Sequence, residues 1–307
     1  MIQHNDTLII GLDHGYGNMK TANHCFPTGI IPGEDASSFA QNILEYGGKS
    51  HLIGEGHKDF IPDKVKDDDF YHLSLAGIAE ELDTFGLSEG KIHIAAGLPL
   101  TWTGAQKDAF AAYLTKNTDV TFTYRKKQYT IKIAGVSIFP QGYAAVAPYI
   151  TKLKGVQMLV DIGNGTMNVM ILVNGKPQFN KMFTEKFGTH QCVLSIKEAF
   201  SRKTQRELND AFIDEMLRTG SAELDEDDLV IVKAAVRDYV SQIYGKLHEY
   251  GYDEKTMRLQ VVGGGGCLLE HFGHLRDGWD FVMKDICAAA KGYEYLAEVQ
   301  LRSREKA

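Results

Sequence analysis

The sequence predicts an α/β protein built from two similar halves, because one short pattern occurs twice and each copy follows an apolar strand. Residues 11–20 read GLDHGYGNMK, and residues 159–170 read LVDIGNGTMNVM. The copies align four identical residues without a gap: Asp13 with Asp161, Gly15 with Gly163, Gly17 with Gly165 and Met19 with Met167. Self-similarity at this spacing indicates an internal duplication. We expect two glycine-rich β-hairpins, each entered through an aspartate, that face each other across a cleft.

The composition is typical of a two-domain globular protein and argues against a nucleic-acid-binding protein. The chain has 307 residues, with 44% hydrophobic and 24% charged content, which is typical of a globular protein. At about 100–200 residues per domain, two domains are expected. The net charge of -7 argues against direct binding of nucleic acid, since phosphate contacts need clustered Lys and Arg.

Cysteine usage and hydropathy predict a cytoplasmic protein. The four cysteines are widely scattered and form no CxxC pair, which argues against a zinc site and against a disulfide framework. The N-terminus shows no secretory signal, and no stretch approaches the roughly 18 consecutive apolar residues of a membrane span. We therefore expect no membrane partner.

The first half is predicted to alternate strands and helices around a small insertion. Residues 27–70 are rich in Gly, Pro, Asp and Ser, and are expected to form a loop-rich subdomain that ends in a solvated acidic turn at 64–70. The predicted strands lie at 7–12, 18–26, 39–46, 50–54, 91–100 and 135–140, with a hairpin at 119–133 and helices at 71–85, 104–116 and 141–150.

The second half repeats this plan. Residues 201–229 are polar and acidic, and AELDEDD (222–228) within them is expected to be exposed. Strands are predicted at 156–161, 167–173 and 177–182, and helices at 188–200, 230–248 and 283–301. Residues 257–270 are predicted to form a strand, a glycine turn and the start of a helix.

Each glycine turn offers backbone N–H groups to an anion, because glycine allows close approach and successive amides form an anion-binding concavity. Lys20 adds a positive charge for a phosphate. Asp13 and Asp161 would repel a bare phosphate, so we expect Mg²⁺ between them, held largely through its waters and phosphate oxygens. The predicted binding residues are Gly15, Tyr16, Gly17, Asn18 and Lys20 in the first turn and Gly163, Asn164, Gly165 and Thr166 in the second.

A third turn completes the predicted site. VVGGGG (261–266) follows an apolar strand and precedes a helix, so an adenine ring or an α-phosphate can approach the helix N-terminus. The residues predicted to bind there are Gly263, Gly264, Gly265 and Gly266.

Three strand-and-turn elements in this order resemble the actin-fold ATPases, a superfamily that includes actin, heat-shock chaperones and sugar kinases. GLDHGYGNMK is similar to the first phosphate motif of the superfamily, DIGNGTMNV (161–169) to the second and VVGGGG to the adenosine motif. The final AAAKGYEYLA (288–297) resembles the helix that closes such chains. The greatest similarity is to bacterial actin-like proteins of the ParM type, which segregate plasmids.

The resemblance implies an actin-like (ribonuclease H-like, duplicated) α/β fold with two domains flanking a nucleotide cleft. Domain I would comprise residues 1–150 and 285–307, with the insertion at 27–70, and domain II residues 151–284. It also implies ATP and Mg²⁺ as cofactors, with Asp13 and Asp161 at the metal, and slow hydrolysis coupled to polymerisation. The implied partners are further copies of the chain in a head-to-tail filament and a DNA-binding adaptor protein.

The resemblance also points to Gln141 as the residue that positions the nucleophile, together with Asp13 and Asp161 in catalysis. It lies in FPQGYAAVA (139–147), at the strand-to-helix junction before the second phosphate motif. Glutamine is not a strong base but orients water by hydrogen bonds. The chain departs from the superfamily pattern at Asn168, where Asp is common, at Asn164, where Gly is common, and in AAAKG, which lacks the usual Asn.

Three functions stay open from the sequence. The first is a filament-forming actin-like ATPase that moves plasmid DNA through an adaptor. The second is a small-molecule kinase of the same fold. Such kinases commonly carry their catalytic base in an Asn-Asp pair within the first half, and the two Asn-Asp pairs of this chain, at 5–6 and 209–210, lie elsewhere, which argues against this function. The third is a scaffold that senses nucleotide without turnover, which Asn168 favours.

Overall fold

A computed structural model of the chain describes residues 1–35, 39–55 and 64–306. The chain divides into two compact units: Met1–Pro148 together with Cys287–Ala307, and Tyr149–Ile286. We call these unit 1 and unit 2. Parts of the predicted insertion, 36–38 and 56–63, lie outside the described residues.

Unit 1 is built on a ten-stranded sheet in the order β4-β3-β2-β8-β10-β9-β6-β7-β5, with β1 paired to β2. Strands β2, β8 and β10 run parallel in the centre, and the remaining pairs are antiparallel. The strands are β1 (Ile2–His4), β2 (Thr7–His14), β3 (Asn18–Lys20), β4 (Cys25–Pro27), β5 (Ile30–Pro32), β6 (Ile43–Tyr46), β7 (Lys49–Ile53), β8 (Glu89–Leu98), β9 (Asp119–Tyr124) and β10 (Lys127–Pro140).

Both faces of the central strands of unit 1 are covered, which explains their nearly continuous apolar runs. On β2, Ile10 and Leu12 point into the larger core with α1, whereas Ile9 points the other way, toward Tyr293 and Ala297 of α8. The helices of unit 1 are α1 (Asp69–Thr84), α2 (Thr103–Leu114), α3 (Tyr143–Val146) and, from the end of the chain, α8 (Ala288–Glu305). Short 3₁₀ turns lie at Gly33–Asp35 and Ala147–Lys152.

Unit 2 is built on a five-stranded sheet in the order β13-β12-β11-β14-β15. Its strands are β11 (Val156–Ile162), β12 (Met167–Val173), β13 (Lys176–Glu185), β14 (Arg258–Val262) and β15 (Phe281–Val282). Its helices are α4 (Thr189–Thr204), α5 (Asp210–Thr219), α6 (Glu226–Glu249) and α7 (Gly266–Phe272). One core gathers residues from β11, β12, β14 and all four helices. Strands β11 and β14 run parallel, whereas β11, β12 and β13 form an antiparallel meander.

Two segments differ from the sequence-based expectations. The polar segment 201–229 contains an unexpected helix, α5, which buries one face through Ile213, Met216 and Leu217. In AELDEDD (222–228), the acidic residues at 223 and 225–227 are exposed as expected, whereas Ala222 and Asp228 are buried. The turn at 64–70 is not simply solvated, since Lys64 and Phe70 are both buried in unit 1.

Smaller differences concern where elements begin and end. The predicted hairpin at 119–133 and strand at 135–140 share one long strand, β10, whose pairing with β8 shifts register between Ile133 and Gly135. The helix predicted at 141–150 is α-helical only over Tyr143–Val146 and continues as a 3₁₀ turn. The final helix begins at Ala288, five residues later than the predicted 283. None of the described helices is both long and apolar enough to cross a membrane.

The packing of α5 can be tested by truncating its most buried side chain. Ile213 is fully buried, so Ile213→Ala should lower the free energy of unfolding by about 2–5 kcal/mol through lost burial and a residual cavity. The preceding Phe212 is 37% exposed, so Phe212→Ala should cost about 1 kcal/mol or less. Urea unfolding of both variants measures the difference. Equal effects would mean that Ile213 is not buried by the packing of α5.

Candidate functional site

The first glycine turn joins β2 to β3 in unit 1. Asp13 lies directly opposite Lys20, and His14 opposite Met19. The N–H of Gly15 donates to the carbonyl of Asp13 at 3.0 Å, which closes the turn tightly. A Cβ atom at Gly15 would lie 2.5 Å from the carbonyl oxygen of Asn18, so only glycine fits there.

Three predicted site residues meet around the Asp13 carboxylate. The Lys20 ammonium lies 3.4 Å from Oδ2, and the side-chain amide of Gln141 donates to Oδ1 at 3.3 Å. Gln141 is placed at the end of β10, where its backbone N–H donates to the carbonyl of Leu98 at 2.8 Å. Unit 1 therefore brings together a mostly buried carboxylate, a cation and an amide, although they come from sequence positions up to 128 apart.

The outer side of the first turn is held by residues that the sequence analysis did not single out. The Thr28 hydroxyl donates to the carbonyl of Tyr16 at 2.7 Å, and the Thr28 N–H donates to the carbonyl of Gly17 at 3.2 Å. The buried ammonium of Lys64 donates to the carbonyl of His14 at 2.5 Å. The sequence does not show that Lys64 is buried beside the first turn, so its contact with the turn could not be predicted.

His14 itself points away from the turn into the core. Its ring is fully buried, contacts the edges of Phe70 and Phe110, and forms a 2.7 Å hydrogen bond with the Ser74 hydroxyl. Burial lowers the pKa of His14 well below its usual range, and the charge of Lys64 adds to this effect. His14 is therefore a neutral packing residue and carries no charge toward the turn.

The second glycine turn joins β11 to β12 in unit 2 with the same register as the first. Asp161 lies opposite Asn168, and Ile162 opposite Met167, so Asp161 occupies the position of Asp13 and Asn168 that of Lys20. The N–H of Gly163 donates to the carbonyl of Thr166 at 2.8 Å. The structure thus gives the sequence repeat a physical basis, because the aligned residues sit at the same places in two hairpins.

The N-terminus of α4 packs directly against the second turn. The N–H groups of Thr189 and His190 donate to the carbonyls of Gly163 and Asn164, at 3.0 and 2.9 Å. A Cβ atom at Gly188 would lie 2.1 Å from the carbonyl oxygen of Asn164, so a glycine is required for this close approach. The turn is therefore braced by a sixteen-residue helix whose positive end adjoins it.

A polar row crosses the sheet of unit 2 beside Asp161. Asn168 lies opposite Asp161 on one side and opposite Thr184 on the other, and residues directly opposite each other share one face of a sheet. The Thr184 hydroxyl donates to Oδ1 of the buried Asn168 at 2.9 Å. Where Asp is common in the superfamily, this chain therefore places a neutral amide that a hydroxyl orients.

The third glycine turn, Gly263–Gly266, meets the second at the carboxyl ends of two parallel strands. Val262 lies beside Asp161, and the N–H of Gly265 donates to the carbonyl of Ile162 at 2.8 Å. The run then enters α7 at Gly266. Unit 2 therefore assembles Asp161 and both of its predicted glycine turns at one edge of its sheet.

The prediction that Asp13 and Asp161 share one metal ion concerns both units and stays a prediction. Within the described ranges of the chain, no group of three or more His, Cys, Asp or Glu side chains could hold a metal ion by itself. The two aspartates offer hard carboxylate oxygens, which fit a hydrated Mg²⁺ that takes its other ligands from water and phosphate.

Comparison with known proteins agrees with this geometry. Residues 11–143 match the family model described as the N-terminal domain of actin-like proteins. An archaeal actin homologue in complex with ADP has a TM-score of 0.72 and 19% identity, covering 95% of this chain and 99% of that chain. ParM of Bacillus thuringiensis with ATP has a TM-score of 0.67 and 13% identity, covering 97% and 100%. The Alp12 filament structure has a TM-score of 0.67 and 16% identity, covering 97% and 100%.

These similarities define the class of protein. No curated protein matches the sequence. The chain has the actin-like fold, and the resemblance to actin-like proteins that the three glycine turns indicated is confirmed.

The packing of the third turn can be tested by comparing two adjacent glycines. Gly263 has φ +85°, and a Cβ atom there would lie 2.5 Å from the Asp161 carboxylate oxygen, so Gly263→Ala should cost about 1–3 kcal/mol of unfolding free energy. A Cβ atom at Gly264 meets nothing within 4 Å, so Gly264→Ala should leave that free energy unchanged within about 0.5 kcal/mol. Denaturant unfolding compares the two, and a Gly263→Ala variant as stable as the parent would contradict this geometry.

Proposed function

We propose that the protein is an actin-like ATPase that binds ATP with Mg²⁺ and polymerises into filaments for plasmid DNA segregation. The observation that carries this proposal is the pair of glycine hairpins with one register, each entered through an aspartate, together with Gln141 hydrogen-bonded to the first aspartate. The similarity to proteins solved with ADP, with ATP and as a filament supports it.

The nucleotide would be bound mainly by backbone amides. In the first turn, the carbonyls of His14, Tyr16 and Gly17 are held from outside the turn. Because a trans peptide points its N–H opposite to its C=O, the amides of Gly17 and Asn18 are directed away from Thr28. Lys20 supplies the positive charge for a phosphate. The third turn would receive the adenosine at the start of α7.

Asp13 and Asp161 would hold Mg²⁺ through its waters, and the metal when bound would neutralise charge on the phosphate oxygens. The residues of this chain do the remaining work. Lys20 and Gln141 fix the Asp13 carboxylate from two sides, at 3.4 and 3.3 Å. The glycine at 263 leaves room for the Asp161 side chain beside the third turn.

Gln141 would orient the attacking water. Its Nε2 donates to Asp13, which leaves the amide oxygen as the acceptor for a water proton. An amide oxygen accepts a hydrogen bond but does not take up the proton at neutral pH. Hydrolysis is therefore expected to be slow, so that filaments would form before their nucleotide is hydrolysed.

The proposed partners are further copies of this chain in a head-to-tail, non-closing contact and a DNA-binding adaptor protein. Direct DNA binding is not proposed, because the chain carries a net charge of -7. We place the protein in the cytoplasm, where plasmid DNA is segregated.

A second candidate is a scaffold that binds nucleotide with little turnover. The observation that favours it is Asn168, buried and hydrogen-bonded to Thr184 at the position next to Asp161. A neutral amide there adds no negative charge toward the proposed metal. Phosphate release measured alongside light scattering after addition of ATP–Mg²⁺ separates the candidates.

The role of Gln141 predicts a kinetic phenotype with little change in binding. Gln141→Ala should keep ATP affinity and slow phosphate release by roughly 10²–10⁴-fold, the range that we assign to hydrogen bonds that position water and to acid–base groups together. Filaments should then persist longer, because hydrolysis would destabilise them. Gln128→Ala, at an exposed position earlier on the same strand, is the matched control. Unchanged turnover in Gln141→Ala would remove this residue from the mechanism.

Assembly should require nucleotide and respond to salt. ATP or a non-hydrolysable analogue should be needed for the protein to pellet, because nucleotide would hold the two units in the polymerising arrangement. The net charge of -7 makes subunits repel, so raising the salt concentration should promote assembly. Sedimentation with and without nucleotide, over a salt series, measures both effects. A protein that stays monomeric at high concentration with ATP–Mg²⁺ would favour the scaffold instead.

A further inference from the structure

Behind the first glycine turn lies a buried positive charge that the proposed mechanism does not use. Lys64 is only 2% exposed, and its ammonium donates a hydrogen bond to the carbonyl of His14. The rings of Tyr16 and Phe70 lie 5.4 and 5.3 Å from its Nζ, within cation–π range. A lysine in such surroundings is unusual, since ammonium groups are rarely buried without a specific use.

The contacts of Lys64 place it at the entry of the turn. The peptide between His14 and Gly15 is held at both ends, because its carbonyl accepts from Lys64 and its N–H donates to the carbonyl of Asp13 at 3.0 Å. A planar peptide whose carbonyl and N–H are both held cannot rotate, and its orientation sets the direction in which the chain continues into the turn. Further along the turn, Thr28 holds the carbonyls of Tyr16 and Gly17.

We propose that Lys64 is a positioning residue for a phosphate group: by holding the His14 carbonyl, it fixes the first turn so that the amides of Gly17 and Asn18 are presented to a nucleotide triphosphate. This inference rests on the proposed nucleotide binding. It adds a link between that turn and the segment leading into α1, since Lys64 lies five residues before the helix begins at Asp69.

The charge of the Lys64 side chain changes with pH within the range in which the protein can be studied. Burial lowers the pKa of Lys64 to about 8, and the negative charge of Asp13 opposes that shift. Among the described residues, Asp13, the neutral His14, Tyr16 and the Phe70 ring face the ammonium. Lys64 therefore loses its charge as the pH rises from 7 to 9.

The two expected pH effects have opposite signs. Above pH 8 the folded protein holds a neutral Lys64 while the unfolded chain still binds the proton, so this residue makes folding more favourable as the pH rises toward 10.5. Nucleotide affinity should fall over the same range, because the hydrogen bond to His14 loses its charge assistance. A purely structural lysine would show only the first effect.

The test compares Lys64→Met, Lys64→Arg and the matched control Lys66→Met in the full chain, since Lys66 is an exposed lysine two residues away. Calorimetric titration with ATP–Mg²⁺ at pH 7 should show about tenfold weaker binding for Lys64→Met, the equivalent of one charge-assisted hydrogen bond, and parent-like binding for Lys66→Met. At pH 9 the parent should approach Lys64→Met, whereas Lys64→Arg should bind equally at both pH values. Parent-like affinity of Lys64→Met would overturn the proposal.

A second measurement needs no nucleotide and so separates this inference from the proposed function. Hydrogen exchange of peptides covering residues 14–18 should be faster in Lys64→Met than in the parent and unchanged in Lys66→Met. If the parent does not bind ATP–Mg²⁺, the proposed function fails while the exchange data still decide whether Lys64 holds the turn. Should Lys64→Met not fold, the parent and Lys64→Arg decide through their pH profiles. Unaltered exchange, or equal pH profiles, would overturn the role of Lys64.

Discussion

The candidate site depends on the burial of strand β2 on both faces. Ile10 and Leu12 pack into the core with α1, and Ile9 packs against α8, so the strand cannot shift or rotate without exposing one of two cores. Asp13 and Gly15 follow at the end of this strand, and their position is therefore set by packing rather than by the turn alone. At roughly 25 cal/mol per Å² of buried apolar surface, such a strand is held far more firmly than a surface loop.

The same constraint explains how a mostly buried carboxylate is tolerated at the end of β2. An ionised carboxylate away from water is costly unless hydrogen bonds or opposite charges compensate. Gln141 and Lys20 supply that compensation for Asp13, and the more distant Lys64 adds positive charge from behind the turn. Because these residues come from three separate parts of the chain, the fold of unit 1 must form before the carboxylate is stabilised. Site formation and folding of this unit are therefore coupled.

The parts of the site that the sequence predicted are those carried by local patterns. Glycines and aspartates at the ends of apolar strands are visible as short motifs, and both predicted hairpins form, with the same register. Lys64 and Thr28 were not predicted because their contacts join residues 50 and 12 positions apart, and only the folded chain reveals such partners. Helix α5 was missed for a different reason. Polar and acidic residues surround it in the sequence, whereas a helix needs only one apolar stripe, here Ile213, Met216 and Leu217, to pack.

The two hairpins share one geometry but differ in charge at the position opposite the aspartate. Unit 1 has Lys20 there, 3.4 Å from Asp13, and unit 2 has Asn168, which accepts a hydrogen bond from Thr184. The hairpin fold itself requires neither a cation nor an amide at this position, because the register is the same in both copies. A nucleotide triphosphate with its metal is itself asymmetric, with its charge concentrated on the phosphates. A lysine in one hairpin and an amide in the other give the two copies different charges toward a ligand of this kind.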